Sequence, residues 1–272
     1  MRRVLLALLC CVCVPGLCKG ADAPVRLLLV GSGPDGHPAQ THEYMAGLKV
    51  LAKCLKDVPG LEITTVRADE PWKEGPELMA RADGVVLFLS EGARWMNHDP
   101  KRREALARAA VRGGGLVALH WAMGTKDAEN IDGCLRLLGG CHGGPDRKYK
   151  VLETEAVVAD PRHPVVGGIR DFRVRDEFYY RLKFVKAERS EKGTHPLLRV
   201  TIDGQPETVA WCWERPDGGR SFGFSGLHFH DNWRLQPYRR LVAQGVLWVV
   251  KKPIPEGGLP VELADNDLKL KR

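Results

Sequence analysis

Residues able to do chemistry gather most densely in "WCWERPDGGRSFGFSGLHFHDNW", residues 211 to 233. The segment reads as two strands around a Pro-Asp-Gly-Gly turn. Its second strand presents His228 and His230 with period two, from one face. Buried imidazoles need hydrogen-bond partners, so histidines side by side point to acid–base work near neutral pH or to ligation of an ion. Gly223 and Gly226 would leave room for a ligand, whereas Trp211, Trp213, Phe222 and Phe224 read as core. A further histidine, His120, closes the strand of "GGGLVALHWAMG" just before a small-residue turn. Strand tips of this kind carry the nucleophile or base in open α/β sheets. Trp121 follows it as a candidate substrate contact. In "DEFYY" (176–180) a strand sends Asp176 and Glu177 to opposite faces, so one can face a pocket while a solvated turn explains the other. Tyr179 either offers a stacking surface to a sugar or joins the core.

His42 and Glu43 fall in the first turn of a helix. The helix dipole alone accounts for Glu43, which is kept beside His42 as a substrate-binding candidate, and His42 would face the same sheet edge as His37. The only plausible metal cluster is His42, His120, His228 and His230. No short-spaced ligand pair such as HExxH fixes one, so a divalent metal is left open and no other cofactor is called for.

These residues need elements to hold them. "VRLLLVGS" (25–32) is a continuous apolar run, as expected of a strand covered on both faces. "THEYMAGLKVLAKCLKDVPG" follows with helical spacing, Thr41 as N-cap and Pro59-Gly60 as the stop. Strands at 61–68, 84–90 and 116–120 alternate with helices in "EGPELMARA" and "DPKRREALARAAVRGGG". This alternation predicts a doubly wound α/β sheet. Beyond about residue 150 the runs "YKVLETEAVVA", "DEFYYRLKFVKA", "PLLRVTID", "ETVAWCWER" and "RSFGFSGL" read as antiparallel strands added to the same domain, which the helix "PYRRLVAQGVLWVV" closes. "GSGPDG" (31–36) matches a dinucleotide fingerprint in letters only. Pro34 and Pro38 interrupt the segment and the helix starts near Thr41, so it reads as a loop at the ligand-binding edge of the sheet.

The 272 residues open with Arg2, Arg3, an apolar run from Val4 to Val14, and small residues at Ala21 and Ala23. That pattern reads as a secretory signal peptide over 1–23, with a secreted or periplasmic destination. The run is shorter than the roughly 20 residues that span a bilayer, so no membrane association is expected after cleavage. Without Arg2, Arg3, Lys19 and Asp22 the formal charge falls from +7 to +5. Basic residues are spread along the chain, which leaves nucleic acid without support as a partner. The remaining cysteines, Cys54, Cys134, Cys141 and Cys212, lack zinc-ribbon spacing; Cys134 and Cys141 are the pair to consider for a disulfide, with buried free thiols the alternative. One domain over 24–252 is expected, with 253–272 as a loose extension.

The blocks "THEYMAG", "GGGLVALHWA", "DPRHPVVGGI", "DEFYY" and "AWCWERPDGGRSFGFSGLHFHDNW", in this order, resemble the ThuA-like (trehalose utilisation) family in its secreted subgroup. The resemblance implies a flavodoxin-like three-layer α/β sandwich, similar to class I glutamine amidotransferases, with antiparallel strands added in the C-terminal half. It puts His120 in the turn where an amidotransferase carries its cysteine, so glutamine hydrolysis through a thioester is not expected. It also maps the family's histidine of the last strand onto His228 and its acidic block onto Asp176 and Glu177. Arg220 of the Gly-Gly-Arg turn joins His42, Glu43, Trp121, Tyr179 and His230 as a substrate-binding candidate. Two departures stand out: "CHGGPDRKY" after Gly139-Gly140, and Phe178 where Trp is usual. His142 therefore either replaces the usual histidine or marks an altered pocket wall. The implied function is a sugar-directed enzyme acting on a sugar or 3-keto-glycoside, with His120 and His228 as acid and base or as metal ligands and Glu177 or Asp176 orienting or abstracting. A non-catalytic carbohydrate-binding protein with the same pocket is the alternative, and homo-oligomerisation is left open.

Overall fold

The computed structural model describes residues 23–185 and 193–270. The expected leader, with Cys10, Cys11, Cys13 and Cys18, lies outside them apart from Ala23. The first half alternates strand and helix: β1 (Val25–Gly31), α1 (Tyr44–Leu55), β2 (Leu61–Arg67), α2 (Gly75–Arg81), β3 (Gly84–Phe88), α3 (Gly92–His98), α4 (Pro100–Val111) and β4 (Gly115–Leu119). After β4 come a short strand β5 (Gly124–Thr125), α5 (Ile131–Leu138) and β6 (Gly140–Gly143). The second half is β-rich: β7 (Lys148–Val158), β8 (Phe172–Tyr180), β9 (Lys183–Phe184), β10 (Thr194–Ile202), β11 (Gln205–Glu214) and β12 (Arg220–Phe224), closed by α6 (Gln236–Val249).

Nine strands form one sheet in the order β2-β1-β3-β4-β12-β11-β10-β7-β8. The first five run parallel, with β1, β3 and β4 as the buried apolar runs and β2 as a half-exposed edge. β12, expected as an antiparallel addition, pairs parallel with β4, Phe222 beside Val117 and Phe224 beside Leu119. It is antiparallel to β11, so it joins the parallel half to the antiparallel half, β11, β10, β7 and β8. A small sheet of β5, β6 and β9 sits beside it.

Alternation along the strands decides the layers. Leu27, Leu29, Val86, Phe88, Val117, Leu119, Phe222 and Phe224 pack under α1 and α6. Leu28, Val30, Val85, Leu87, Leu116 and Ala118 pack on the other face against Met79 of α2, Leu106 of α4 and Leu138 of α5. This is the expected three-layer sandwich. Two helices, α3 and α5, were not anticipated from the pattern. Asp99 caps α4 by accepting from the backbone N–H of Lys101 and Arg102, with Pro100 at its first position.

Two expectations need correction, and the alternative left open for Cys134 and Cys141 is decided. Helix α1 begins at Tyr44, so Thr41 is not its cap; Thr41 instead bridges to Phe229 and donates its hydroxyl to the Pro38 carbonyl. The tail is not loose: Leu259, Val261 and Leu268 are buried, because α6 leaves apolar surface that these side chains cover. Cys134 and Cys141 are free buried thiols, as are Cys54 and Cys212. Among the described residues no helix is long and apolar enough to cross a membrane.

Candidate functional site

Loops at the carboxyl ends of the parallel strands carry the reactive groups. His42 lies in the β1–α1 loop, just before α1 and not in its first turn. His120 is the residue after β4, and His228 lies in the loop after β12. His42 and His120 have φ of +52° and +51°, and Leu227, beside His228, has +79°. Left-handed backbone at non-glycine residues costs on the order of 1–3 kcal/mol each and persists where the surroundings over-determine it. Here hydrogen bonds do so. The N–H of His42 donates to the His228 carbonyl at 3.0 Å, and Nδ1 of His120 donates to the Ser225 carbonyl at 2.8 Å.

The imidazoles meet at a single point. His120 Nε2 is 3.0 Å from His42 Nε2 and 3.3 Å from His228 Nδ1. Glu177 Oε1 stands 3.6 Å from His228 Nδ1 and 3.9 Å from His120 Nε2. One ligand atom from each of these four residues lies within 4.8 Å of the others, as metal coordination requires. Tyr179 places its hydroxyl 3.0 Å from His120 Nε2 and its ring between two histidines, 4.6 Å from His120 and 4.1 Å from His142. A cavity of about 300 Å³ opens on this centre, with Trp121, His142, Arg147, Glu177 and Tyr179 among its lining. That is the lower end of the range for small-molecule sites.

Burial sets the electrostatics. It pushes His120 well below the usual histidine range, helped by repulsion from His42 and His228, and takes His228 down to about 4 and His142 to about 3. Burial, with the neighbouring Asp176 charge, raises Glu177 to about 7. Asp176 is itself raised by burial to about 6, against the hydrogen bonds that pull it down.

A family model described as trehalose utilisation matches residues 29–249. The chain belongs to the ThuA family. The role that goes with it is in trehalose utilisation and carbohydrate metabolism. Two solved structures resemble this ThuA chain closely enough to show the fold. A putative ThuA-like protein from Bacteroides uniformis superposes with a TM-score of 0.64 at 16% identity, covering 85% of this chain and 94% of that one. One from Parabacteroides merdae gives 0.62 at 15% identity, covering 91% and 100%. Among curated proteins no sequence match is found. The fold is the flavodoxin-like three-layer sandwich that both of these ThuA-like structures share, its parallel strands in the order β2-β1-β3-β4-β12.

Of the residues singled out in sequence, this ThuA site brings together His42, His120, His228, Glu177, Tyr179 and Trp121. It separates the rest. His228 and His230 do not share a strand face, because β12 ends at Phe224 and His230 begins a 3-10 turn. His230 Nε2 turns to the Leu268 carbonyl at 3.1 Å, so Glu177 takes its place in the candidate metal cluster. Arg220 sits at the opposite end of β12, paired with Glu214 and lying over the Trp248 ring. Glu43 accepts the Gln40 N–H and lines a second cavity, of about 670 Å³, which shares Asp35, His37 and His42 with the first. Asp176 is neither solvated nor in the pocket. It is fully buried and accepts the N–H of Leu227 at 2.7 Å, that of His228 at 3.2 Å and the Tyr238 hydroxyl at 3.0 Å. Its work is to hold the loop that carries His228. Gly223 leaves no ligand space either, since a Cβ there would come within 2.2 Å of the Trp211 ring.

The residue missed outright is Asp35, in the "GSGPDG" loop. Its Oδ2 accepts from His42 Nδ1 and from the Tyr44 hydroxyl, both at 2.7 Å, and its Oδ1 pairs with His37. Burial pushes this carboxyl up, but the hydrogen bonds from His42, Tyr44 and His37 outweigh it and hold it well below the usual carboxylate range. The signal was an acid between two prolines, two residues before His37 and seven before His42.

Proposed function

We propose that this protein is an enzyme that takes a proton from the carbon beside a sugar carbonyl, with a 3-keto-glycoside as the class of substrate. The observation that carries the reading is the convergence of His42, His120, His228 and Glu177 from four separate segments, with His42 and Glu177 lining a small cavity and His120 and His228 packed behind them. A keto group acidifies its neighbouring C–H, and abstraction then needs a base and a stabiliser for the oxygen that becomes negative. Glu177, partly exposed to the cavity at 12%, is the base, and the imidazole cluster faces the enolate oxygen. Trp121 supplies the apolar wall on which a pyranose face can lie. The absence of a cysteine at position 120 removes the thioester route of amidotransferases. The leader-like residues 1–23 support action outside the cytoplasm, which N-terminal sequencing of the exported protein checks.

The test is solvent exchange. 3-Keto-glycosides incubated with the protein in D2O should gain deuterium next to the carbonyl, read by NMR, while the parent sugars should not. Glu177→Gln should slow the exchange by roughly 100-fold or more. No exchange or product with any keto-glycoside, with and without added divalent ions, would overturn the reading in favour of a carbohydrate-binding protein.

A further inference from the structure

We infer that His42, His120 and His228 hold one divalent transition-metal ion, beside which Glu177 is left free as the base. The argument starts from protons. His120 Nδ1 faces a carbonyl oxygen, which can only accept, so the ring's proton sits on Nδ1 and its Nε2 presents a lone pair. His42 Nδ1 donates to Asp35, so its Nε2 is bare as well. These two nitrogens point at each other across 3.0 Å. Two lone pairs at hydrogen-bond distance repel unless a cation lies between them. The Tyr179 hydroxyl has a single proton and quenches one of them at most. A bridging proton would leave an imidazolium in the pair, either on His120, a residue with 0% exposure, or on His42, where Asp35 balances the charge, and it is the cobalt titration below that separates proton from metal.

Distances fit an ion instead. Imidazole nitrogens bound at about 2.1 Å stand about 3.0 Å apart at right angles and about 3.4 Å apart at the tetrahedral angle. The two measured separations in the histidine set are 3.0 and 3.3 Å. The partners behind the rings are those of a metal site too. A carboxylate on His42 and a backbone carbonyl on His120 fix each tautomer and aim each lone pair inward. Three neutral imidazoles favour zinc, cobalt, nickel or iron over magnesium or calcium. Position is consistent, because His42 and the neighbouring Glu177 and Tyr179 line the 300 Å³ cavity, so an ion held by the cluster would lie next to a space that can take water or a sugar oxygen. This inference deepens the reading above and rests on its placement of the reactive centre, though not on the substrate.

The experiment uses the full chain without an affinity tag, stripped with chelator and titrated with Co2+ followed by Zn2+ competition. About one equivalent should bind, with visible cobalt absorption. His42→Ala, His120→Ala and His228→Ala should each weaken binding at least 100-fold, with the Gln variants used wherever an Ala variant loses its circular dichroism. Asp35→Asn, which touches no ion, should weaken it roughly 10- to 100-fold and shift the cobalt spectrum. Glu177→Gln should keep one equivalent. Less than about 0.1 equivalent bound to the wild type, or equal binding by wild type and the three histidine variants, overturns the inference. The two readings fail separately: bound metal with no keto-sugar exchange leaves the ion and removes the substrate, whereas exchange at full rate in metal-free protein does the reverse.

Discussion

Asp176 and Glu177 are neighbours of the same chemical type, and the two-residue period of β8 sends one into the core and the other to the cavity. Which is which depends on what lies across each face. Asp176 meets the backbone donors of residues 227 to 229, and those N–H groups would be orphaned in the core without it. Asp176→Asn replaces an acceptor oxygen by an NH2 group facing N–H donors. It should destabilise the protein by about 2–3 kcal/mol, lowering Tm by several degrees, and loosen His228 enough to reduce turnover. Thermal melts set beside deuterium-exchange rates check this. A variant that melts like the wild type would show that the loop is held by something else.

At the scale of elements, one turn away from the site is held by a cap that titrates. The Pro164–Val166 turn that follows β7 is capped by His163, whose Nδ1 accepts the Val165 N–H at 3.3 Å. Burial takes His163 down to about 4, with repulsion from His195 and Arg220 outweighing attraction to Asp160 and Glu214. A base whose folded value is depressed contributes stability that is complete above its unfolded value, 6.5, and is lost as pH falls toward 4. The urea midpoint should therefore decline between pH 6.5 and 4, and His163→Gln should flatten that part of the curve. An unchanged slope in the variant would place the loss in other groups. The loop after β12 has a different support. A Cβ on Gly226 would come within 2.7 Å of the Phe224 ring and 2.9 Å of Asp176 Oδ2, so glycine there is a packing requirement and not spare room for a ligand.

At the scale of the whole molecule, the tail is a structural part of the sandwich. Leu259, Val261 and Leu268 are buried, and the Leu268 carbonyl holds His230. Each buried aliphatic side chain contributes on the order of 1.5–3 kcal/mol. Removing residues 257–272 should then cost several kcal/mol and lower Tm by about 10 °C or more, read by calorimetry; an unchanged Tm would return the tail to a surface extension. The sequence by itself determined the β–α alternation, the antiparallel second half, the strand-end place of His120 and the opposite faces of Asp176 and Glu177 on a strand, because burial imposes a local period that any segment displays without its neighbours. It also carried enough ordered blocks to name a family. Only the tertiary structure decided that β12 lies beside β4 and that Asp35 stands behind His42. It alone separated His230 and Arg220 from the site and turned Asp176 inward. Those facts depend on which loops meet over the sheet edge, and contacts between residues 35 and 42, 42 and 120, or 176 and 228 follow from the packing of whole elements, not from any spacing along the chain.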